Sequence, residues 1–461
     1  MNDADLRTRA TWRASLSQGW PLLLTMALVL AGLAAAHRLR PAVTRDTSAY
    51  LRPGDFVTLL GAPRSPAYQW LLPLLQLGSG SNVPVPWVQT LAFLLATWCW
   101  FRACLDAGLS RGAALALALP LPMSNLLLLW NNAIHPELPA AVALVFALSQ
   151  LMAMLHHRKA FAAVTAYGAA LGLSYLLRPA NLPLVAVLPL LYVALSRVRT
   201  GGWQVRRALA LAGAGAAAFL LVGALRLAFV GSFNIVSFGG FQMSGLAGQM
   251  LDEEAAAKLP AEFQPLGQRV VQGRAALVAA GKALPTPENS EGRRDYFSVA
   301  LGYFDILARN YDAVLYGVIL RERQPDESWV AFDRRLQRFA LATLHACPQR
   351  YVAWVLGASM RATGRLLMAN GAWLTASLAL AVAYLRSIVR RRSPPSQGAL
   401  SRNDDVHVVV LLVAGYTLAT LALQVLVTFP AARYIDTAGL LLPALPLYGL
   451  ARLLGSAGGT S

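Results

Sequence analysis

A chain of 461 residues could hold two or three soluble domains, but 56% hydrophobic and 13% charged residues, with mean hydropathy +0.49, exclude an ordinary soluble protein. The formal charge of +18 would suggest a nucleic-acid partner in a soluble protein; here much of it flanks apolar runs, which points to anionic lipid head groups and away from nucleic acid. All but three of the 40 basic residues are arginine, whose planar fork grips phosphate through two hydrogen bonds.

Apolar runs long enough to cross hydrocarbon recur along nearly the whole chain. They predict an all-α polytopic membrane protein with about ten transmembrane helices. The spans centre near 20–36, 85–105, 112–130, 138–155, 160–177, 181–197, 207–230, 368–387, 406–428 and 437–454. The first ends in "LAAAH", small residues resembling a signal-peptidase site, and is read as an uncleaved anchor that supplies a packing partner to the bundle. Pro120 and Pro122 inside the third mark a candidate broken helix. Orientation follows from basic flanks: Arg7, Arg9 and Arg13, "HHRK" (156–159), "SRVRTGGWQVRR" (196–207) and "RSIVRRRS" (386–393) occupy alternating loops, which places them and both termini in the cytoplasm.

Residues 232–367 break the pattern, because "LDEEAAAKL", "PTPENSEGRRDYF" and "RERQPDES" are too polar to span. The chain therefore divides into an N-terminal transmembrane module (1–231), a large, mostly helical extracytoplasmic insertion (232–367) and C-terminal transmembrane helices (368–461). Within 329–346, Trp329, Phe332, Leu336, Phe339, Ala340 and Leu344 recur at helical spacing, the pattern of an amphipathic helix lying on the membrane or on the bundle. The segment 390–405 reads as a flexible cytoplasmic connection. Cys99, Cys104 and Cys347 show neither zinc-like spacing nor a disulfide framework.

The outer side then holds an unusual set. Its first loop carries Arg38, Arg40, Arg45, Asp46, Arg52, Asp55 and Arg64; its second carries His135 and Glu137; later loops carry Arg178, then Arg433 and Tyr434. Outer arginines run against the positive-inside tendency, and as a set they suggest an anion site. "GAPRSPAYQWLLPLL" (61–75) suits a helix lying in the interface, with Tyr68 and Trp70 at head-group depth and Arg64 at its start. Asp46, paired by Arg45 or Arg52, is the candidate proton acceptor. The plain alternatives are a loop acid that caps the next helix for Asp46, a solvated turn for Asp55, an acidic first turn for Glu137 and an interfacial loop residue for His135. Neither a P-loop, GxGxxG, GxSxG nor HExxH occurs, so nucleotide-driven transport and serine-hydrolase chemistry lose their usual signatures, as does a zinc site.

The order "DTSAYL", "PRSPAYQWLLPLL", an acid before the fourth span, "GLSYLLRPANLPLV" and "ARYIDTAGLLLPALPL" resembles the polytopic GT-C glycosyltransferases, notably bacterial enzymes of the protein-mannosyltransferase and aminoarabinose-transferase type. The likeness is scattered over residues 20–200 and 406–454. It departs where Thr47 follows Asp46 in place of a second acid, and where Pro66-Ala67-Tyr68-Gln69 replaces a proline-glycine-tyrosine-proline run. The resemblance implies inverting sugar transfer from a polyprenyl-phosphate donor to an acceptor hydroxyl of the cell envelope. It would take place in a bacterial inner membrane, with the active site facing the periplasm or exterior. Asp46 and Glu137 would be catalytic, with Arg45, Arg64, Tyr68, His135, Arg178, Arg433 and Tyr434 binding substrate. No cofactor is expected; a divalent cation is used by some members of the family. The rival readings are a lipid-linked glycan flippase or other transporter, and a membrane scaffold.

Overall fold

The computed structural model describes residues 3–44, 46–51, 54–155, 160–285, 296–368, 370, 373, 375–380, 382, 403–427 and 432–457. Among them the regular structure is helical, with two isolated bridges, Ala42 to Ala133 and Ser124 to Asn370, and no strand. The chain opens on α1 (Asp3–Ala35), followed by the short helices α2 (Thr47–Tyr50), α3 (Phe56–Gly61) and α4 (Ala67–Leu75). Next come α5 (Val85–Asp106), α6 (Arg111–Ala118), α7 (Asn125–Trp130), α8 (Glu137–Ala153), α9 (Ala160–Leu177), α10 (Leu184–Thr200) and α11 (Val205–Val230). The insertion contributes α12 (Gly239–Met250), α13 (Glu253–Ala257), α14 (Gln264–Ala279), α15 (Tyr296–Gly317), α16 (Trp329–Ala346) and α17 (Pro348–Leu366). The chain closes with α18 (Asn403–Val427), α19 (Ala432–Ala438) and α20 (Ala444–Ala457).

Five described helical segments are long and apolar enough to cross a membrane: Leu16–Ala35, Val85–Asp106, Pro179–Thr200, Val205–Val230 and Asp405–Leu426. Glu137–Ala153 and Phe161–Leu177 are apolar but shorter. Large apolar side chains on their outer faces, among them Leu28, Leu95, Leu190, Leu209, Leu221 and Leu418, are exposed, as a lipid-facing surface requires. Two expected spans are not continuous helices. The run 112–130 breaks after α6 at residues 119–124, where Pro120 and Pro122 bring no N–H, and the freed Pro120 carbonyl accepts from Asn370 Nδ2 at 2.8 Å. The run 437–454 breaks between α19 and α20, ahead of Pro443. Half of the expected span 368–387, the basic run 156–159 and residues 390–402 of the connection lie outside the described residues.

Small residues set the packing inside the bundle. A Cβ on Gly168 of α9 would stand 2.7 Å from the Ala214 carbonyl oxygen of α11, so only glycine lets these backbones approach this closely. The insertion has its own core, in which Phe241, Val270, Phe304, Leu315, Phe332, Leu336, Phe339 and Trp354 join Val425 and Ile435 of the C-terminal helices. The amphipathic helix expected at 329–346 is α16, but its apolar stripe is spent inside this core rather than on a membrane surface. Ser328 caps it by accepting from the Ala331 N–H at 3.2 Å.

α16 also anchors α12. Asp333 is buried and accepts from the Phe241 N–H at 2.9 Å. At the end of α11, fully buried Arg226 donates to Asn234 Oδ1 at 2.8 Å and to Ser237 Oγ at 2.7 Å, so the chain leaves the bundle along a fixed path. Burial raises the Asp333 carboxyl above its usual 3.8, opposed by the Phe241 and Gly240 amides and by Arg226.

Two outcomes follow from this packing. Gly168→Leu should cost about 1–3 kcal/mol through overpacking, read as a lower Tm of the purified protein. The raised Asp333 carboxyl binds its proton more tightly in the folded chain than in the unfolded one. Its contribution is therefore complete below pH 3.8 and is lost as pH rises through the folded-state value. Asp333→Asn, which keeps an acceptor oxygen, should flatten that part of the stability profile in thermal unfolding between about pH 4 and about pH 7.

Candidate functional site: a charged cavity where α8 begins and α9 ends

Two loops are stitched together by a buried glutamine. Gln89 of α5 donates Nε2 to the carbonyl oxygens of Asn131 and, at 3.2 Å, Ala133. Asn131 Nδ2 reaches back to the Arg38 carbonyl at 2.9 Å, and Ala42 N–H donates to the Asn132 carbonyl at 2.8 Å. Residues 36–44 thus run beside 131–135, which brings Thr44 to His135 although they stand 91 positions apart. Both ends of this contact are satisfied inside the protein, as irregular backbone in an apolar setting must be.

His135 and Glu137 are buried together. Thr44 Oγ1 is hydrogen-bonded to His135 Nε2, and His135 Nδ1 lies 3.2 Å from Glu137 Oε2, without the alignment of a full hydrogen bond. Glu137 is the first residue of α8, as its plain reading had it, but its side chain is 94% buried and faces a cavity rather than water. The Tyr50 and Trp130 rings flank the imidazole at 5.6 and 6.3 Å.

Asp46 and Arg64 form the second pair, at 3.5 Å. Asp46 occupies the cap position of α2 but makes no capping hydrogen bond through its side chain. The capping acid of this loop is Asp55, which accepts from the Thr58 N–H at 2.7 Å. The Arg64 guanidinium also lies over the Phe238 ring at 4.5 Å and near the Tyr50 ring at 5.8 Å, so one cation joins the first loop to the insertion. Buried Ser65, donating to the Leu176 carbonyl, fixes this turn against the end of α9. Arg45 and Arg52, the expected partners of Asp46, lie outside the described residues.

Tyr68 does not face outward beside Trp70. It is fully buried in α4, edge-on to Tyr50 at 5.5 Å, and Trp70 alone takes the outward position. Burial first, and the Glu137 charge second, raise its hydroxyl well above the usual tyrosine value, so it stays a donor.

Arg178 lies between α9 and the short turn Pro179–Asn181. It is buried, donates to Thr437 Oγ1 at 3.0 Å and stands within electrostatic range of Asp436, which in turn accepts from Trp130 Nε1 at 3.3 Å. Arg433 and Tyr434 belong to the same helix, α19, as Asp436 and Thr437; their side chains lie outside the description.

Arg64, Glu137 and Arg178 line one cavity of about 280 Å³, together with Tyr50, Pro136, Phe238, Gln242 and Gln424. Asp46 and His135 stand behind this wall, through Arg64 and Glu137 respectively. Sequence reasoning missed Phe238 and Gln242 of the insertion, Gln424 in an apolar span, and the Asp436–Thr437 support of Arg178. Only the last left a trace, as polar residues in "RYIDT" at the head of an apolar run. Among the described residues no group of three or more His, Cys, Asp or Glu side chains stands together as a metal-ligand set.

Chemically, the cavity offers two guanidinium groups for an anion, a carboxylate able to take a proton, and amides and aromatic faces for a polar ring. Together, fold and cavity define an all-helical protein with membrane-crossing helices and a charged cavity walled by bundle and insertion. No protein-family model, curated protein or solved structure matches the chain.

Among the described residues the buried Tyr68 hydroxyl has no hydrogen-bond partner. Tyr68→Phe should therefore leave the Tm unchanged or raise it slightly, by up to about 1 kcal/mol of stability, since it removes a buried group without an internal partner. A clear loss of stability would show that the hydroxyl is satisfied in the folded protein.

Proposed function

We propose that the protein is a membrane glycosyltransferase of the GT-C kind, transferring a sugar from a polyprenyl phosphate to an acceptor hydroxyl at the extracytoplasmic face of a bacterial inner membrane. The observation that carries this reading is the meeting of Arg64, Arg178 and Glu137 in one cavity, from loops far apart in the chain. In a single displacement the acceptor oxygen attacks the anomeric carbon and the bond to the phosphate oxygen breaks, with inversion. The departing phosphate keeps the electron pair, and the two guanidinium groups stabilise its charge. A phosphate needs no added proton to leave; the acceptor hydroxyl does need a base. Glu137 faces the cavity and is suited to that part. Asp46, which the sequence offered as the base, is paired with Arg64 and orients it.

A second feature supports a lipid-borne donor. An apolar groove of about 510 Å³ lies between α4, α5, α8 and α9, lined by Leu71, Leu75, Leu95, Val142, Phe146 and Leu173. It runs within one helical turn of the cavity residues Glu137 and Leu177, which suits a hydrocarbon tail joined to a charged head.

The transporter reading has one observation in its favour, the break at 119–124. One experiment separates the two. Purified protein in nanodiscs, given a polyprenyl-phosphate sugar and a hydroxyl-bearing acceptor lipid, should release polyprenyl phosphate together with glycosylated acceptor. Glu137→Gln should lower the rate by about 10²–10⁴-fold, and Asp46→Asn by about tenfold. A Glu137→Gln protein that inserts normally and transfers at the wild-type rate removes Glu137 as the base. Passage of intact lipid-linked sugar across proteoliposomes, with no bond cleaved, replaces the enzyme by the transporter.

A further inference from the structure

Beside the cavity runs a line of hydrogen-bonding groups that the reaction above does not use. The Thr44 N–H, which can only donate, gives its hydrogen to Thr47 Oγ1 at 2.9 Å. The two threonine hydroxyls are 3.2 Å apart, and Thr44 Oγ1 meets His135 Nε2. On the far side of the ring, Nδ1 is 3.2 Å from Glu137 Oε2. The hydrogens can be assigned in order. Thr47 Oγ1, which accepts from the amide, can give its hydrogen to Thr44 Oγ1 or accept from it, so the order is set on the other side of the ring, where the carboxylate oxygen calls for a hydrogen on Nδ1. Thr44 then has its hydrogen available for Nε2, which must accept, and the imidazole proton resides on Nδ1, beside the carboxylate.

The reverse arrangement is disfavoured. A neutral ring protonated on Nε2 would set the Nδ1 lone pair against a carboxylate oxygen at 3.2 Å. Among the described residues, Glu137, Arg64, Arg178 and Asp46 are charged groups around this site, and Tyr50 and Trp130 wall the ring.

We propose that His135 is a positioning residue, held as the neutral Nδ1-protonated tautomer by the Thr47–Thr44 chain, and that it fixes the orientation of the Glu137 carboxylate toward the cavity. His135 does not touch substrate and takes no proton during turnover. The offset between Nδ1 and Oε2 closes to a full hydrogen bond when the cavity is occupied, as catalytic contacts commonly tighten on binding. The tautomer itself stands on the hydrogen-bond geometry alone; its effect on rate rests on the glycosyl-transfer reading.

The tautomer is read by nitrogen NMR of the full-length protein, labelled with ¹⁵N-histidine, in nanodiscs at neutral pH. Of the six histidines, the His135 signal is the one lost in His135→Asn or, should that variant not fold, in His135→Leu. The expected pattern is a protonated Nδ1 with a bare Nε2, shifting toward the other tautomer in Thr44→Val. A protonated Nε2 in the wild type, an imidazolium, or a signal indifferent to Thr44→Val overturns the proposal. The rate gives the second arm. His135→Asn, whose amide N–H replaces Nδ1–H, should keep kcat within about tenfold, whereas His135→Leu should lower it about 100-fold with KM unchanged. Equal losses in both variants overturn the positioning role. The expected tautomer in a protein that transfers no sugar sinks the enzyme reading and leaves the hydrogen-bond chain intact.

Discussion

In an apolar environment every backbone N–H and carbonyl must find a partner inside the protein, and this constraint governs the molecule at each place where a helix stops. Partners are supplied by a few buried polar side chains. Gln89 and Asn131 close the loops before α8, and Asn370 closes the break after α6. Between α9 and α10 a side-chain relay ties the turn to α8: Asn181 donates to Ser174 Oγ, and Ser174 donates to the Ala140 carbonyl. The cavity lies among these closures. Irregular backbone had to be buried there in any case, and its partners are the scaffold on which Thr44, His135, Glu137 and Arg178 are held.

That origin explains the character of the site. Its charged groups are not dispersed in water but are paired or stacked: Arg64 against Asp46 and Phe238, Arg178 against Thr437, Glu137 against His135. A guanidinium already oriented by a carboxylate or a hydroxyl loses little freedom when an anion arrives, so its field is in place before binding. The insertion completes this arrangement rather than merely covering it. Phe238 and Gln242 enter the wall from α12, whose first turn is fixed by Asp333 from α16.

Much of the helical plan is legible in the sequence because hydrophobic runs and their basic flanks report on the solvent each residue meets. The spans at 85–105, 207–230 and 406–428 coincide closely with α5, α11 and α18. The break at 119–124 was legible in Pro120 and Pro122 inside an apolar run, whereas a continuous helix over 437–454 was expected because hydropathy counts methylenes and is blind to the missing N–H of Pro443. Arg64, Glu137 and Arg178 stood out as charges at the ends of apolar runs, and they share a cavity. Their partners were hidden. The Asp46–Arg64 pair and the Thr44–His135 contact depend on how loops fold back, and Gln424 is one polar residue in an otherwise apolar helix. The amphipathic stripe of α16 was read at the right residues with membrane and bundle both open as its surface; it packs in the core that the insertion shares with Val425 and Ile435, since periodicity marks a buried face without saying what buries it.

The apolar groove opens sideways, where Leu95, Phe146 and Leu173 retain 63%, 36% and 39% of their surface. On the proposed function, a donor with a long hydrocarbon tail reaches this groove by diffusing within the plane of the bilayer, never by crossing water. Its encounter rate is then set by surface density, as mole fraction among neighbouring lipids, and diluting the aqueous phase leaves it unchanged.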